Sequence, residues 1–145
     1  MNNARFLNSI GRRRTQRRHR RGASVVEFAL VAPVFFMLLI GIIEVGRALM
    51  IQQVLVNASR VGARQAVVLT SSTDAVTSAV ADYATGIGVA GVATTVTPNP
   101  GTATAGTPIT VTTSVDFSNV SWIPSPWFMG GKTITASSVM RKEGF

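Results

Sequence analysis

Residues 28–43 (FALVAPVFFMLLIGII) carry no charge, and the 21 residues that open the chain hold Arg5, Arg12, Arg13, Arg14, Arg17, Arg18, Arg20 and Arg21 with no acid. An uncharged apolar run beside a dense cationic leader is the pattern of a membrane-spanning helix whose basic flank stays cytoplasmic. The run alone is short of the roughly 20 residues that cross a bilayer. Adding residues 23–27 supplies the length at the cost of one carboxylate, Glu27, near the end of the span. Fourteen Val, Leu, Ile or Phe residues lie between 25 and 45. Each favours insertion by about 0.3–0.6 kcal/mol near the helix centre, against about 3 kcal/mol opposed by a central acid. Insertion wins. A buried core helix is the other reading of such a run, and the arginines argue against it.

This arithmetic divides the chain into a cytoplasmic basic leader (1–22), a transmembrane helix (23–46) and a body outside the membrane (47–145). The leader reads as a floppy cationic tail. Glu27 and Glu44 are 17 residues apart, about 25 Å along a helix, which puts one carboxylate near each face of the hydrocarbon layer. Arg47 follows Glu44 by three residues and can pair with it on the same helix face. Pro33 frees one carbonyl and allows a modest kink, which transmembrane helices tolerate.

Composition excludes several classes of function. From Gly22 onward six basic residues meet six acids, so the overall charge of +8 resides in the leader. The arginines have a sufficient task at an anionic leaflet, and no nucleic-acid partner is expected. There is no cysteine and one histidine, His19, inside the arginine run. Thiolate chemistry, a zinc site and a Ser-His-Asp arrangement therefore lack their parts. No catalytic residue, metal or cofactor is expected, and the chain is not expected to be an enzyme.

Beyond the span, residues 45–69 keep helix-compatible spacing without proline, so the helix is expected to continue as an amphipathic stem ending near Thr70-Ser71-Ser72. Ala58, Gly62 and Ala66 form a small-residue stripe at four-residue spacing. Such a stripe permits close approach of another helix, either from this chain's own body or from another subunit. Thr73-Asp74 opens a second, shorter helix, with Val76, Ala79, Val80 and Tyr83 at helical spacing and a stop at Gly86. Gly86-Ile87-Gly88-Val89-Ala90-Gly91 matches a dinucleotide-binding glycine pattern, but it follows a helix and precedes a strand, the reverse of what a pyrophosphate site requires. Strands are expected at 92–97, 109–117 and 133–140. In the second, Ile109, Val111, Thr113, Val115 and Phe117 share one face. The fold class is thus α+β: a long amino-terminal helix, a second short helix and a small antiparallel sheet of about three strands. Between the last two strands, residues 122–129 (WIPSPWFM) form the densest aromatic cluster, either a lid over the core or a contact patch.

The junction Arg20-Arg21-Gly22, followed by Ala23-Ser24-Val25-Val26-Glu27-Phe28, resembles the processing site of type IV pilin-like precursors. Glycine has no Cβ and can enter a narrow cleft in extended form. A carboxylate at the membrane edge is costly unless it meets a cation. The stretch from Arg21 to Phe35, continuing to Glu44-Val45-Gly46-Arg47-Ala48, is similar to the amino-terminal region of TadE-like pseudopilins of the tight-adherence (Flp) pilus, and residues 134–143 resemble that family's close. The related TadF and TadG families share the opening. Phe28 stands where major pilins carry tyrosine, and a sizeable body follows, which favours a minor pseudopilin.

The resemblance implies cleavage after Gly22 by a prepilin peptidase and a mature chain starting at Ala23. It also implies pairing of Glu27 with the freed amine of a neighbouring subunit. The partners implied are the peptidase, other pilins and pseudopilins, and the pilus assembly platform. The implied location is the bacterial cytoplasmic membrane, single-pass, with the amino end inside and the body outside or incorporated in the pilus. The alternative is an uncleaved single-pass protein with a small extracytoplasmic binding domain.

Overall fold

The computed structural model describes the backbone of residues 16–121 and 130–144, with side chains from Gly22 onward. Arg5, Arg12, Arg13 and Arg14, the side chains of the remaining leader arginines and of His19, and the aromatic cluster 122–129 lie outside the described residues. The element order is α1 (Gln16–Val67), α2 (Thr73–Gly86), β1 (Ala93–Thr97), β2 (Pro108–Asp116), a 3₁₀ turn (Phe117–Asn119) and β3 (Thr133–Arg141). The fold is α+β, as the periodicities require. Two compact units divide the chain, Met1–Ile42 and Ile43–Phe145.

One expectation is corrected at the helix start. α1 begins at Gln16 and runs through Gly22, so the end of the leader is helical where a floppy tail was expected. Gln and Arg rank among the better helix formers, whereas one glycine costs only about 1 kcal/mol relative to alanine. Once the apolar segment has nucleated the helix, each added residue gains a hydrogen bond without a new nucleus, and a single glycine does not stop it.

In the unit Ile43–Phe145, the sheet has the order β1-β2-β3 with both pairings antiparallel. β2 lies in the centre and presents Ile109, Val111, Thr113 and Val115 to the core. Ile134 and Ala136 of β3 share that face, because Val115 is opposite Ile134 and Thr113 is opposite Ala136. Phe117 closes the inward series from the 3₁₀ turn, one residue beyond the strand, and is fully buried. The inner face of α1 supplies Ile51, Val54, Leu55, Ala58, Ala63 and Ala66, and α2 supplies Val76, Val80 and Ala84. Thr113, a polar residue in this core, has its hydroxyl 3.1 Å from the Leu55 carbonyl. Ser59 Oγ donates to Val56 O at 2.8 Å and lies 2.8 Å from Ser138 Oγ, a second polar tie between stem and sheet. Buried hydroxyls are tolerated when they are satisfied in this way.

The ends of α2 and the carboxyl end of α1 are also satisfied. Ser72 caps α2 by accepting the Ala75 amide at 3.2 Å, with Asp74 in the first turn favoured by the positive end of the dipole. At the far end of α1 the partners come from the segment after β3. Lys142 Nζ donates to Val68 O at 2.6 Å, and the Glu143 amide donates to Val67 O at 3.1 Å. A cation at a helix carboxyl end is favourable, and these two bonds occupy carbonyls that the helix itself leaves open.

The small-residue stripe explains how closely the layers meet. A Cβ at Gly62 would lie 2.7 Å from Val80 Cγ2 and 3.0 Å from Val111 Cγ1. Gly46, on the exposed side of the same helix, has nothing within 4 Å of its Cβ position. Gly62→Val is therefore expected to lower stability by about 1–3 kcal/mol through overpacking. Gly46→Ala is expected to be neutral or to gain up to about 1 kcal/mol from helix propensity. Thermal unfolding of the full chain in detergent checks both, and equal losses at the two glycines would contradict the packing described.

Candidate membrane and processing site

The unit Met1–Ile42 carries its large apolar side chains on the outside. Val25, Val26, Phe28, Leu30, Val31, Val34, Phe35 and Phe36 are all more than half exposed, apart from any lipid or partner. Leaving a side chain of this size in water forgoes about 1.5–3 kcal/mol that burial would return. An uninterrupted exposed surface of this kind belongs to lipid or to another protein. The helix is long and apolar enough to cross a membrane.

The junction residues all lie on α1. Gly22 is exposed, and among the described residues no heavy atom outside its immediate helical surroundings lies within 4 Å of its Cβ position. Ala23, Glu27 and Phe28 are likewise exposed. The spacing from Ala23 to Glu27 is four residues, so both lie on one side of the helix, one turn apart. Glu27 is the one ionisable side chain between Gly22 and Ile43.

Glu44 and Arg47, by contrast, belong to the unit Ile43–Phe145, and that unit covers the carboxylate. Glu44 is 2% exposed. Ser121 Oγ donates to Glu44 Oε1 at 2.8 Å, while Oε2 is buried without a hydrogen-bond partner among the described residues. Arg47 Nε donates to the carbonyl of Val120, next to Ser121. The two ionisable side chains thus reach the same short segment after the 3₁₀ turn. Neither Ser121 nor Val120 stands out in the sequence. Both are more than 70 residues from their partners and carry no motif, so only the tertiary fold identifies them.

The stripe Ala58, Gly62 and Ala66 is buried against α2 and β2 of the same chain. Its small residues are used internally, which leaves them covered from a neighbouring subunit. The glycine-rich stretch 86–91 leaves α2 and leads to β1, with Gly88 and Gly91 at φ of 83° and 74°. It is a connector that uses glycine's left-handed conformations. Among the described residues no three His, Asp or Glu side chains gather as a metal site would require.

Residues 22–64 match the family model described as TadE-like protein. The similarity to TadE-like proteins lies within the amino-terminal helix α1. The matched segment starts at the glycine of the junction and ends at Arg64, within α1. The sheet lies outside it. No curated protein and no solved structure is significantly similar to this chain.

The Glu44 cluster makes a specific prediction. Ser121→Ala removes the hydrogen-bond donor at Oε1 and is expected to cost about 1–3 kcal/mol. Combining it with Glu44→Met, which removes the stranded carboxylate as well, is expected to recover part of that loss. Denaturant unfolding of the single and double variants in detergent checks this, and strictly additive losses would dissociate Ser121 from Glu44.

Proposed function

We propose that this chain is a minor pseudopilin of the tight-adherence pilus. It is inserted in the bacterial cytoplasmic membrane with its amino end inside, trimmed after Gly22 by a prepilin peptidase, and carries its α+β body outside. Its role is structural, in assembly with other pilins and pseudopilins on the pilus platform, and it catalyses nothing itself. The observation that carries this reading is where the TadE-like match begins. It starts at Gly22, the residue that separates eight arginines from the apolar run and precedes Glu27 by five positions.

The chemistry of that position supports cleavage there. A peptidase needs an extended backbone, and the helix must open locally to provide one. Glycine is the weakest helix former short of proline, so Gly22 is the least costly place to unwind. Among the described residues none crowds its Cβ position. Trimming removes the cationic anchor and leaves residues 23–145, with six basic and six acidic side chains. The freed amine at Ala23 provides a cation for a Glu27 carboxylate of a neighbouring copy, which offsets the cost of holding that acid at the membrane margin.

One observation favours a second reading. α1 runs through Gly22 without a break, as it would in an uncleaved single-pass protein whose body binds a partner. The two readings separate cleanly by mass. Protein recovered from membranes of pilus-assembling cells is expected to begin at Ala23, and Gly22→Leu to accumulate as the full-length chain. Glu27→Gln is expected to insert normally yet fail to join an assembly. Recovery of intact 145-residue wild-type chain alone would overturn the pseudopilin reading and leave the anchor.

A further inference from the structure

Over the two turns of α1 that follow Ile43, polarity is arranged in the reverse of a water-exposed stem. Glu44 is buried, and Arg47 is half-buried and directed to Val120 O. The side exposed at the same level carries Val45, Leu49 and Met50, which are 50%, 64% and 50% exposed. At 100° per residue these three fall on one side of the helix, with Glu44 and Arg47 on the other. The arrangement changes one turn further on. Gln53, Asn57, Arg60 and Arg64 then occupy the exposed side, as expected in water. A single exposed leucine would need no explanation. Here the acid is turned inward, with one oxygen unpartnered among the described residues, while three large apolar groups face out.

We propose that the acyl chains of the outer leaflet cover Val45, Leu49 and Met50, and that the aqueous boundary of the bilayer lies near Gln53 rather than at Glu44. The segment at Val120 and Ser121 then screens the Glu44 carboxylate from lipid at the membrane margin. This rests on the reading that α1 is inserted in a bilayer. Length supports it. The charge-free run 28–43 rises only about 22 Å as a helix, short of a hydrocarbon core of about 30 Å. From Phe28 to Met50 the rise is about 33 Å, which a tilt of about 20–25° fits to that thickness. Energetics point the same way. An acid facing acyl chains is costly, and turning Glu44 under its own body removes that exposure. The apolar side is also continuous in sequence with the exposed apolar surface that precedes it.

The chain has no cysteine, so single substitutions can be labelled cleanly. Nitroxides at Leu38→Cys, Leu49→Cys, Met50→Cys and Asn57→Cys in the full chain, reconstituted in phosphatidylethanolamine–phosphatidylglycerol bilayers, report collisions with oxygen in lipid and with a nickel chelate in water. Labels at 49 and 50 are expected to resemble the label at 38, with an oxygen-to-nickel ratio several-fold above that at 57. Nickel-rich collisions at 49 and 50, with 38 still oxygen-rich, would overturn the proposal while leaving insertion intact. Low collision rates with both reagents at 49 and 50 would also overturn it, assigning that side to a second copy or another protein. Nickel access at 38 itself would instead remove the insertion reading, and the proposal with it.

Discussion

The body depends on how closely α1 can approach the elements it packs against. Three short strands and one short helix bury little surface, and such an assembly is near the minimum for independent stability. It reaches native packing because Gly62 and its neighbours Ala58 and Ala66 let Val76 and Val80 of α2 and Val111 of β2 come into contact with the stem. Polar ties between stem and sheet accompany that approach. Thr113 reaches the Leu55 carbonyl, and Ser59 meets Ser138, only because helix and sheet are this close.

Most of this was legible in the sequence where it is encoded by local period. Alternation of Ile109, Val111, Thr113 and Val115 marks β2 and its inward face, and Val76 and Val80 mark the buried side of α2. The opening of α2 at Thr73-Asp74 was legible too, whereas its cap, Ser72, reads only as part of the end of the stem. What could not be read are the contacts that cross the chain. Lys142 at the end of α1 and Ser121 on Glu44 join residues more than 70 positions apart, and a lone lysine or serine carries no period. The helical end of the leader was missed for another reason. A glycine at a sharp change of composition suggests a boundary, whereas its energetic cost is too small to interrupt an established helix.

The same distinction applies to the candidate site residues. Gly22, Ala23, Glu27 and Phe28 are consecutive or nearly so, and the TadE-like match covers them. Glu44 and Arg47 are visible as charges after an apolar run, but their direction is not. The fold turns the acid under the body and leaves Val45, Leu49 and Met50 outside. A hydropathy boundary drawn from sequence therefore falls at the first charge, whereas a boundary drawn from the exposed side of the helix falls two turns later. The two differ because charge content is a property of the sequence and charge orientation is a property of the fold.

The bonds from Lys142 and Glu143 to the last carbonyls of α1 have a temporal consequence. Synthesis delivers the stem early and its closing partners 74 residues later. The central strand is in the same position, since β2 finds its second neighbour only when β3 arrives. A growing chain thus holds a helix with an open end and a half-paired sheet until its final strand is made.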